Sequence, residues 1–365
     1  MSIKYIDLSL QTKKITSELS NIFKEVISSG QFVGGKYINK FERNMSKYLG
    51  VKYCVALNSG TDALTFAMHS LGIKRGDEVI TPPNSFVAST AAIIHLGAKP
   101  IFVDVLEDQN LDFSKIEKSL TKKTKAIMPV HLTGRPCEMK EIMKIAKKYN
   151  LKVIEDSAQS IGTRYNQKKV GTIGDIGCFS AHPLKNLNAL GDAGYLATNS
   201  KKIYEKIKDL SNHGMTKRNT IYRFGHVSRM DSLQASILGF KLKNLNSVIL
   251  QRRKNYEIYR NNLNRKHIFF PEEKKYQYNT YHTFVIQVKN RNKLKKFLEE
   301  KKIETSIHYP VPIHLQPAAK FLGYKIGDFP IAENQSKKIL TLPIHQDLRQ
   351  IDILRICKEV NSFYN

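Results

Sequence analysis

Cysteine is scarce in this chain of 365 residues: only four occur, at positions 54, 137, 178 and 357. They lie far apart and include no CxxC pair, so the sequence predicts neither a disulfide framework nor a zinc site. Cys54 and Cys178 lie within apolar, strand-like runs, which favours buried thiols. We therefore expect no metal centre.

Long hydrophobic runs are also missing, since no stretch reaches the roughly 18 apolar residues of a membrane-spanning helix. The first residues, Met1-Ser2-Ile3-Lys4-Tyr5-Ile6-Asp7, lack the apolar core and cleavage site of a signal peptide. We predict a cytoplasmic protein without a membrane span. Apolar residues make up 41% of a chain longer than one average domain, which favours two domains sharing one site.

Acidic residues are few: 32 aspartates and glutamates oppose 59 lysines and arginines, for a formal charge of +27. The lysines are spread along the chain. An arginine-rich arm, zinc-finger spacing and an aromatic RNA-binding signature are all absent, so we do not predict a nucleic-acid-binding protein. A solvated lysine-rich surface and attraction for a polyanionic substrate both explain this charge.

Strand-like and helical patterns alternate through the first two-thirds of the chain. This alternation predicts an α/β fold with a mostly parallel sheet covered by helices on both faces. In such sheets the chemistry gathers beyond the carboxyl ends of the strands. The predicted strands are 53–57, 78–81, 100–104, 126–130, 153–156 and 176–180, and the predicted helices are 61–71, 89–96 and 139–149.

The last third has a different pattern. A long helical stretch over 232–259 links two domains, followed by a strand over 283–288, a helix over 291–302, a loop over 308–317 and a helix from Asp352. This pattern predicts a smaller α+β domain. We place the large domain at residues 1–245 and the small one at 246–365.

Two residues have the chemistry that pyridoxal phosphate (PLP) requires. Asp156 ends a buried strand, and Lys185 lies between an apolar strand and the turn Gly191-Asp192-Ala193-Gly194. PLP needs an amine for a Schiff base and an anion facing its pyridinium nitrogen. Burial would lower the pKa of the lysine and make it nucleophilic. This pair predicts an enzyme that acts on amines or carbonyls.

Four further residues or turns fit the same cofactor, although each also has an ordinary structural explanation. The amides of Gly60 and Thr61 begin a helix and suit a phosphate, but Ser59 or Thr61 could simply cap that helix. Phe86 could stack on a flat ring or belong to the core. Gln159 could donate a hydrogen bond to the ring hydroxyl, and Ser180 could bind the phosphate. The order of these features along the chain is what favours the cofactor.

The complete set resembles the DegT/DnrJ/EryC1/StrS family of sugar aminotransferases, nearly from end to end. The matching stretches are Gly30-Gln31-Phe32-Val33-Gly34-Gly35, Ser59-Gly60-Thr61-Asp62-Ala63-Leu64, Glu155-Asp156-Ser157-Ala158-Gln159, His182-Pro183-Leu184-Lys185-Asn186-Leu187, Ser228-Arg229-Met230-Asp231-Ser232-Leu233-Gln234-Ala235, His308-Tyr309-Pro310-Val311-Pro312-Ile313-His314-Leu315-Gln316-Pro317 and Leu342-Pro343.

The resemblance implies a PLP-dependent transferase of fold type I, with a three-layer α/β/α large domain and a smaller C-terminal α+β domain. It implies amino transfer from L-glutamate to a keto-sugar, with pyridoxamine phosphate as intermediate, and a homodimer with shared active sites. The keto-sugar would be nucleotide-linked and the product would serve lipopolysaccharide, capsule or related glycan synthesis.

The resemblance also implies residue roles. Lys185 carries the cofactor, Asp156 pairs with the pyridinium and Gln159 contacts the ring oxygen. Phe86 stacks on the ring, while Gly60, Thr61 and Ser180 hold the phosphate. His308, Tyr309 and His314 lie in the loop that the family uses near the sugar, where a structural role is an equal alternative. Arg229 is a candidate for the donor's carboxylate or for an ion pair with Asp231 or another acid.

The sequence departs from the family at two positions. Members commonly have asparagine, reaching the partner subunit's phosphate, where this chain has Val227, with His226 as a substitute donor. Glycine is common where this chain has Asn188. Both departures are compatible with an altered substrate pocket, including a keto-sugar without a nucleotide.

Two other functions fit the same fold. A sugar dehydratase or deoxygenase typically has histidine at the Schiff-base position, and Lys185 argues against it. A non-enzymatic sensor or binding protein would not need the lysine, aspartate, glutamine and phosphate turn together.

Overall fold

The structure, a computed structural model, describes residues 2–217 and 220–365. Within these residues the strands are β1 (Tyr53–Leu57), β2 (Glu78–Thr81), β3 (Lys99–Phe102), β4 (Thr124–Ile127), β5 (Lys152–Asp156), β6 (Arg164–Tyr165), β7 (Lys168–Lys169), β8 (Ile176–Ser180), β9 (Gly194–Thr198), β10 (Met215–Lys217), β11 (Thr220–Ile221), β12 (Ile268–Phe269), β13 (Gln277–Tyr278), β14 (Phe284–Val288) and β15 (Ile339–Leu342).

The helices alternate with these strands in the first two-thirds of the chain. They are α1 (Leu8–Lys13), α2 (Thr16–Ser29), α3 (Gly35–Leu49), α4 (Gly60–Ser70), α5 (Val87–His95), α6 (Met139–Lys148), α7 (Lys201–Leu210), α8 (Ser232–Leu242), α9 (Leu245–Asn262), α10 (Arg291–Glu300), α11 (Pro330–Lys338) and α12 (Gln350–Ser362). Short 3-10 helices lie at Phe113–Lys115, Glu117–Ser119, Leu132–Gly134, Ile313–Leu315 and Pro317–Leu322.

A seven-stranded sheet forms the centre of the molecule, in the order β1-β9-β8-β5-β4-β2-β3. Six of its strands share one direction, and β9 runs antiparallel to both of its neighbours, β1 and β8. The inner strands are buried, as expected where helices cover both faces of a parallel sheet.

Alternate residues of the strands pack on opposite faces of this sheet. On one face Val55 and Leu57 join a core with α4, α5 and α7. On the other face Cys54 and Ala56 pack against α3 and α8. A neighbouring core joins Ile80, Ile127 and Val153 of the sheet to residues of α6. This period of two produces three layers, helix on sheet on helix.

The C-terminal third builds a second core around the small sheet β12-β14-β15. Residues of α9, α10 and α12 pack on it, and Ile3 from the N-terminus joins them. The isolated bridge between Ile3 and Ile303 holds the first residues against this region. By contrast, β13 pairs with β6 of the first part of the chain.

The mostly parallel sheet with helices on both faces is confirmed. The prediction of one helix over 232–259 is wrong, because α8 ends at Leu242 and α9 begins at Leu245. The strand β9 and its reversed direction were not predicted. Within the described residues no helix is long and apolar enough to cross a membrane.

Candidate active site

A cavity of about 420 Å³ opens at the carboxyl ends of the parallel strands. Residues that follow β1, β2, β4, β5 and β8 line it: Gly60, Phe86, Val130, Ala158 and Lys185. This is the edge at which open α/β sheets bind their ligands. Its size is typical of a site for a small molecule.

Asp156, the last residue of β5, presents a buried carboxylate to the cavity. Its Oδ2 accepts a hydrogen bond from the Ser89 hydroxyl at 2.7 Å, and its Oδ1 accepts one from the Ala158 amide at 3.1 Å. Burial raises the pKa of Asp156, while these two hydrogen bonds and the charge of Lys185 lower it. Burial is the largest of these effects, so the pKa of Asp156 is raised overall, and the two hydrogen bonds and Lys185 limit the rise.

The residue before it, Glu155, anchors the strand from the opposite side. This fully buried carboxylate accepts hydrogen bonds from the amides of Gly171, Ile173 and Gly174 at 2.7, 2.7 and 2.6 Å. His131 contacts it through Nε2 at 3.0 Å, and the Nδ1 of the same ring accepts from the Cys137 amide. The Cys137 contact leaves Nε2 to carry the proton. The end of β5 is therefore held rigidly.

Lys185 lies in the loop between β8 and β9 and lines the same cavity. Burial lowers its pKa to about 8, and the opposing effect of Asp156 is smaller. A substantial share of this amine is therefore neutral near physiological pH, as a nucleophile or base requires.

Asn188 braces the lysine loop. Its Nδ2 donates to the Pro183 carbonyl at 2.7 Å, and Lys241 of α8 donates to its backbone and side-chain oxygens at 3.0 and 2.8 Å. Burial lowers the pKa of Lys241 to about 8. The residue that departs from the family pattern thus ties the Lys185 loop to a helix.

A phosphate-sized cradle lies where α4 begins. Ser59 caps this helix by accepting from the Asp62 amide at 3.1 Å, so the predicted cap is present. The preceding amides, those of Gly60 and Thr61, have no acceptor within the helix, as at any helix N-terminus. Gly60 approaches Ser180 so closely that an added Cβ would lie 2.8 Å from the Cβ of Ser180. Capping and anion binding are therefore compatible here.

Phe86 and Gln159 complete the region between cradle and carboxylate. Phe86 is 55% exposed and lines the cavity, so it is not a core residue, and its ring lies 5.8 Å from that of Tyr309. The Oε1 of Gln159 accepts from the Thr133 amide at 2.8 Å, while its Nε2 donates to the Tyr309 hydroxyl at 3.3 Å.

Histidines form much of the remaining wall. Burial and the charge of Lys185 lower the pKa of His308 to about 4, and its Nδ1 lies 3.0 Å from the Thr341 hydroxyl. The pKa of His282 is lowered well below its ordinary value by burial and by Lys185, Arg252 and His308. Both imidazoles are therefore neutral at physiological pH.

Three residues singled out in the sequence lie away from this cavity. Arg229 is exposed, and its Nη1 donates to the Asn212 side chain at 3.3 Å rather than to Asp231. His314 is buried, with Nε2 3.1 Å from Glu333 and its ring against Phe329. Val227 is 55% exposed.

Sequence reasoning missed several cavity residues, among them Tyr5, Ser89 and Arg252. Tyr5 comes from the N-terminal segment and Ser89 from the first turn of α5, and no motif marks either one. Arg252 had a signal, because it shares the buried face of α9 with Ile249 and Tyr256. A buried arginine on an apolar face is unusual.

The fold and the cavity define a protein class. A buried carboxylate and a lysine with a lowered pKa meet beside an aromatic ring and a helix N-terminus with close glycine packing. These residues fit PLP at its ring nitrogen, its aldehyde carbon, its ring face and its phosphate. The structure is that of a PLP-dependent aminotransferase.

Comparison with known proteins assigns the family. The model of the DegT/DnrJ/EryC1/StrS aminotransferase family matches residues 13–361, and the chain belongs to this family. The pleiotropic regulatory protein of Geobacillus stearothermophilus is 37% identical over 100% of this chain and 99% of its own length. The dTDP-3-amino-3,6-dideoxy-alpha-D-galactopyranose transaminase of Aneurinibacillus thermoaerophilus is 39% identical over 99% of both chains.

Solved structures agree with this assignment. The crystal structure of S. venezuelae DesV in complex with a ketimine intermediate matches with a TM-score of 0.97 and 32% identity, over 99% of this chain and 98% of that one. Other matching aminotransferases were solved with pyridoxal phosphate or pyridoxamine phosphate. The predicted family, fold type, enzyme class and cofactor are confirmed.

Proposed function

We propose that this enzyme transfers the amino group of L-glutamate to a nucleotide-linked keto-sugar and so makes an amino sugar for lipopolysaccharide, capsule or a related glycan. The observation that carries the proposal is the meeting of Lys185 and Asp156 beside the α4 cradle in one cavity. The transaminase name of a 39% identical relative, which specifies a dTDP-linked amino sugar, supports the nucleotide-linked substrate.

We infer the cofactor contacts from the residues that line the cavity. Lys185 would carry PLP, Asp156 would face the ring nitrogen and Phe86 would stack on the ring. Gln159 would donate to the ring hydroxyl. Gly60, Thr61 and Ser180 would hold the phosphate, on the side where the dipole of α4 favours an anion. When bound, PLP supplies an electron sink for the carbon that loses its proton.

Lys185 has the second task of moving protons. Its neutral amine takes the proton from Cα of the amino donor in the first half-reaction and returns one to the sugar carbon in the second. A pKa of about 8 suits both directions, since an amine with a pKa near the working pH serves as base and as acid.

The sugar side of the cavity would be formed by His308 and Tyr309. His308 is neutral and hydrogen-bonded to Thr341, and Tyr309 is held by Gln159, so both present fixed polar groups. We assign His314 a supporting role, in which its contact with Glu333 positions the loop that follows Tyr309.

We further propose a cytoplasmic homodimer. Arg229 and Val227 lie on exposed surface away from their own cavity, where they would approach the active site of the partner subunit. Valine cannot bind a phosphate, so His226 would take over a polar contact there.

Lys185→Ala tests the assignment of the amine. We expect this variant to lose the visible absorption band of lysine-bound PLP and to lower kcat by about 10⁴-fold or more, because attachment and proton transfer are lost together. Pyridoxamine phosphate should still bind. Normal turnover in the variant would overturn the assignment.

Lys169→Ala is the matched control. Burial also lowers the pKa of Lys169, but its amine contacts the Tyr48 carbonyl outside the cavity. This variant should keep the band. Loss of the band after addition of L-glutamate to the unsubstituted enzyme would establish the donor. Mass spectrometry after incubation with dTDP- and UDP-linked keto-sugars would then identify the acceptor.

A further inference from the structure

Arg252 is a buried cation in the wall of the cavity. Its side chain is 3% exposed and projects from α9. Its Nη1 donates to the carbonyls of Tyr281 and His282 at 3.1 and 3.0 Å. Its Nε is buried and has no hydrogen-bond partner among the described residues. Within the described residues, the Nε and Nη2 donors of this guanidinium are therefore unused.

The charge of Arg252 is also unpaired. Among residues 2–217 and 220–365, no carboxylate lies within ion-pair distance of it. Asp347 raises its pKa from further away, but that carboxylate contacts Lys14 at 2.5 Å. Burial lowers the pKa of Arg252 to about 10, so it stays charged at physiological pH. A buried, unpaired charge is costly unless a ligand neutralises it.

The next residue along the helix shows what a satisfied arginine looks like in this fold. Arg253 holds Glu273 with both Nη atoms, at 2.8 and 2.9 Å, and donates to the Asn279 carbonyl at 2.8 Å. It does not line the cavity. Of these two neighbouring arginines, Arg253 is thus paired with a carboxylate and Arg252 is not, within the described residues.

The surroundings of Arg252 favour an anion that enters from the cavity. Burial lowers the pKa of His282, and the positive charges of Lys185 and Arg252 lower it further, so positive potential dominates this wall. Burial raises the pKa of Tyr5, and Arg252 lies close enough to this tyrosine to lower that pKa in part. Tyr5 stays a neutral hydroxyl and can donate a hydrogen bond to the same anion.

We propose that Arg252, assisted by Tyr5, is a carboxylate-binding site of this enzyme and positions a substrate for the lysine. A guanidinium binds carboxylates in bidentate fashion, and Nε with Nη2 forms a suitable edge. The carboxylate belongs either to the amino donor or to an acidic keto-sugar. The inference rests on the proposed function, in which both substrates share this cavity.

Arg252→Gln and Arg252→Lys test the proposal, with Arg253→Gln as the matched control on the same helix. For the donor arm, KM is measured with L-glutamate and Kd with 2-oxoglutarate by calorimetry. For the sugar arm, Kd is measured for UDP-glucuronate and for UDP-glucose, which lacks the carboxylate. Each variant is checked by its circular dichroism spectrum, because Arg252 also holds two backbone carbonyls.

If the donor supplies the carboxylate, Arg252→Gln raises the KM of L-glutamate and the Kd of 2-oxoglutarate about 100-fold, and the nucleotide sugars bind as before. If the sugar supplies it, UDP-glucuronate weakens by the same factor and UDP-glucose does not. Arg252→Lys restores part of the affinity by keeping the charge. Arg253→Gln changes each value less than about threefold, as expected of a residue outside the site.

Unchanged affinity of all four compounds for Arg252→Gln would overturn the inference, and so would equal losses in Arg252→Gln and Arg253→Gln. The calorimetric arms need no cofactor, so they decide the role of Arg252 even in the apo protein. Failure of the proposed function is a separate result, namely an unsubstituted protein that forms no visible band with PLP.

Discussion

Asp156 illustrates how single contacts set the chemistry of a residue. Its burial favours the neutral acid, whereas the ring nitrogen of the cofactor needs an anion opposite it. The Ser89 hydroxyl and the Ala158 amide shift the balance towards the ionised form. Ser89 is itself buried, so this hydrogen bond does not compete with water.

Ser89→Ala should therefore move the pH dependence of the enzyme. Removing a hydrogen bond to the carboxylate raises the pKa of Asp156 further. Because the ionised form is the active one, activity is lost as pH falls through that pKa. The acidic limb of kcat/KM should move upwards by about one pH unit, as expected from the worth of a hydrogen bond to a charge.

Ser160→Ala is the control variant for the pH dependence of kcat/KM. Ser160 is fully buried near the same loop, and its hydroxyl has no hydrogen-bond partner among the described residues. Its removal should leave the acidic limb in place. An unmoved limb in Ser89→Ala would show that Asp156 does not control it.

Single residues also show what can be predicted from sequence. Lys185 and Asp156 were identified because the ends of parallel strands meet at one edge, whatever the details of packing. Ser89 and Tyr5 reach the cavity through tertiary contacts that no local pattern encodes, whereas the place of Arg252 on the apolar face of α9 was a signal that was missed. His314 belongs to a matching motif, yet it faces Glu333 instead of the cavity. The roles of all site residues stay predictions until the variants are measured.

Among the secondary-structure elements, α4 has the most demanding position, because its first residue packs directly on the end of β8. Gly60→Ala should push this helix away from Ser180, since the new Cβ would lie only 2.8 Å from the Cβ of Ser180. We expect PLP to bind about 10- to 100-fold more weakly, because the cradle and the dipole of α4 both lose their position. Equilibrium dialysis with PLP measures this effect.

Gly239→Ala is the matched control within a helix. Gly239 lies in α8, and within the part of the chain that the structure describes no atom outside the helix's own nearby backbone lies within 4 Å of an added Cβ. This substitution should raise the free energy of unfolding by about 0.5–1 kcal/mol through helix propensity and leave PLP affinity unchanged. Equal PLP affinity of both variants would exclude the cradle as the phosphate site.

The secondary-structure elements also show which features the sequence pattern could and could not predict. Buried apolar runs predicted the parallel strands, because a sheet covered on both faces needs them. The strand β9 was not predicted, because it begins at the end of the glycine-rich turn, and strand direction leaves no mark in the sequence. The break between α8 and α9 was missed because buried residues continue on both sides of it, with Leu238 before and Leu245 after.

At the scale of the whole molecule, the exposed apolar side chains between residues 221 and 227 form a patch that favours a protein–protein interface. Ile221, Tyr222, Phe224 and Val227 are 56, 72, 96 and 55% exposed. Monomeric proteins seldom leave such clusters in water, and they commonly mark an interface. The patch adjoins Arg229, which fits the proposed dimer with shared active sites.

We expect the protein to sediment at twice its 41.7 kDa chain mass and Phe224→Ser to shift it towards the monomer. An aromatic anchor at the centre of an interface typically contributes about 2 kcal/mol or more. Phe321→Ser is the control, because Phe321 is 70% exposed in a separate 3-10 helix. Analytical ultracentrifugation checks both, and a monomeric unsubstituted protein would disprove the dimer.

The reversed strand β9 has a consequence for how the enzyme matures. It joins β1 to β8, with Leu57 opposite Gly194, and Gly194 packs against the backbone of Ser59. The cradle and the lysine loop are thus far apart in the chain and meet only when this distant pairing forms. Such pairings are slow to form, because a long loop must close first. Binding of the cofactor therefore waits until most of the large sheet has assembled, because a partly folded chain lacks both the complete phosphate cradle and the burial that lowers the pKa of Lys185.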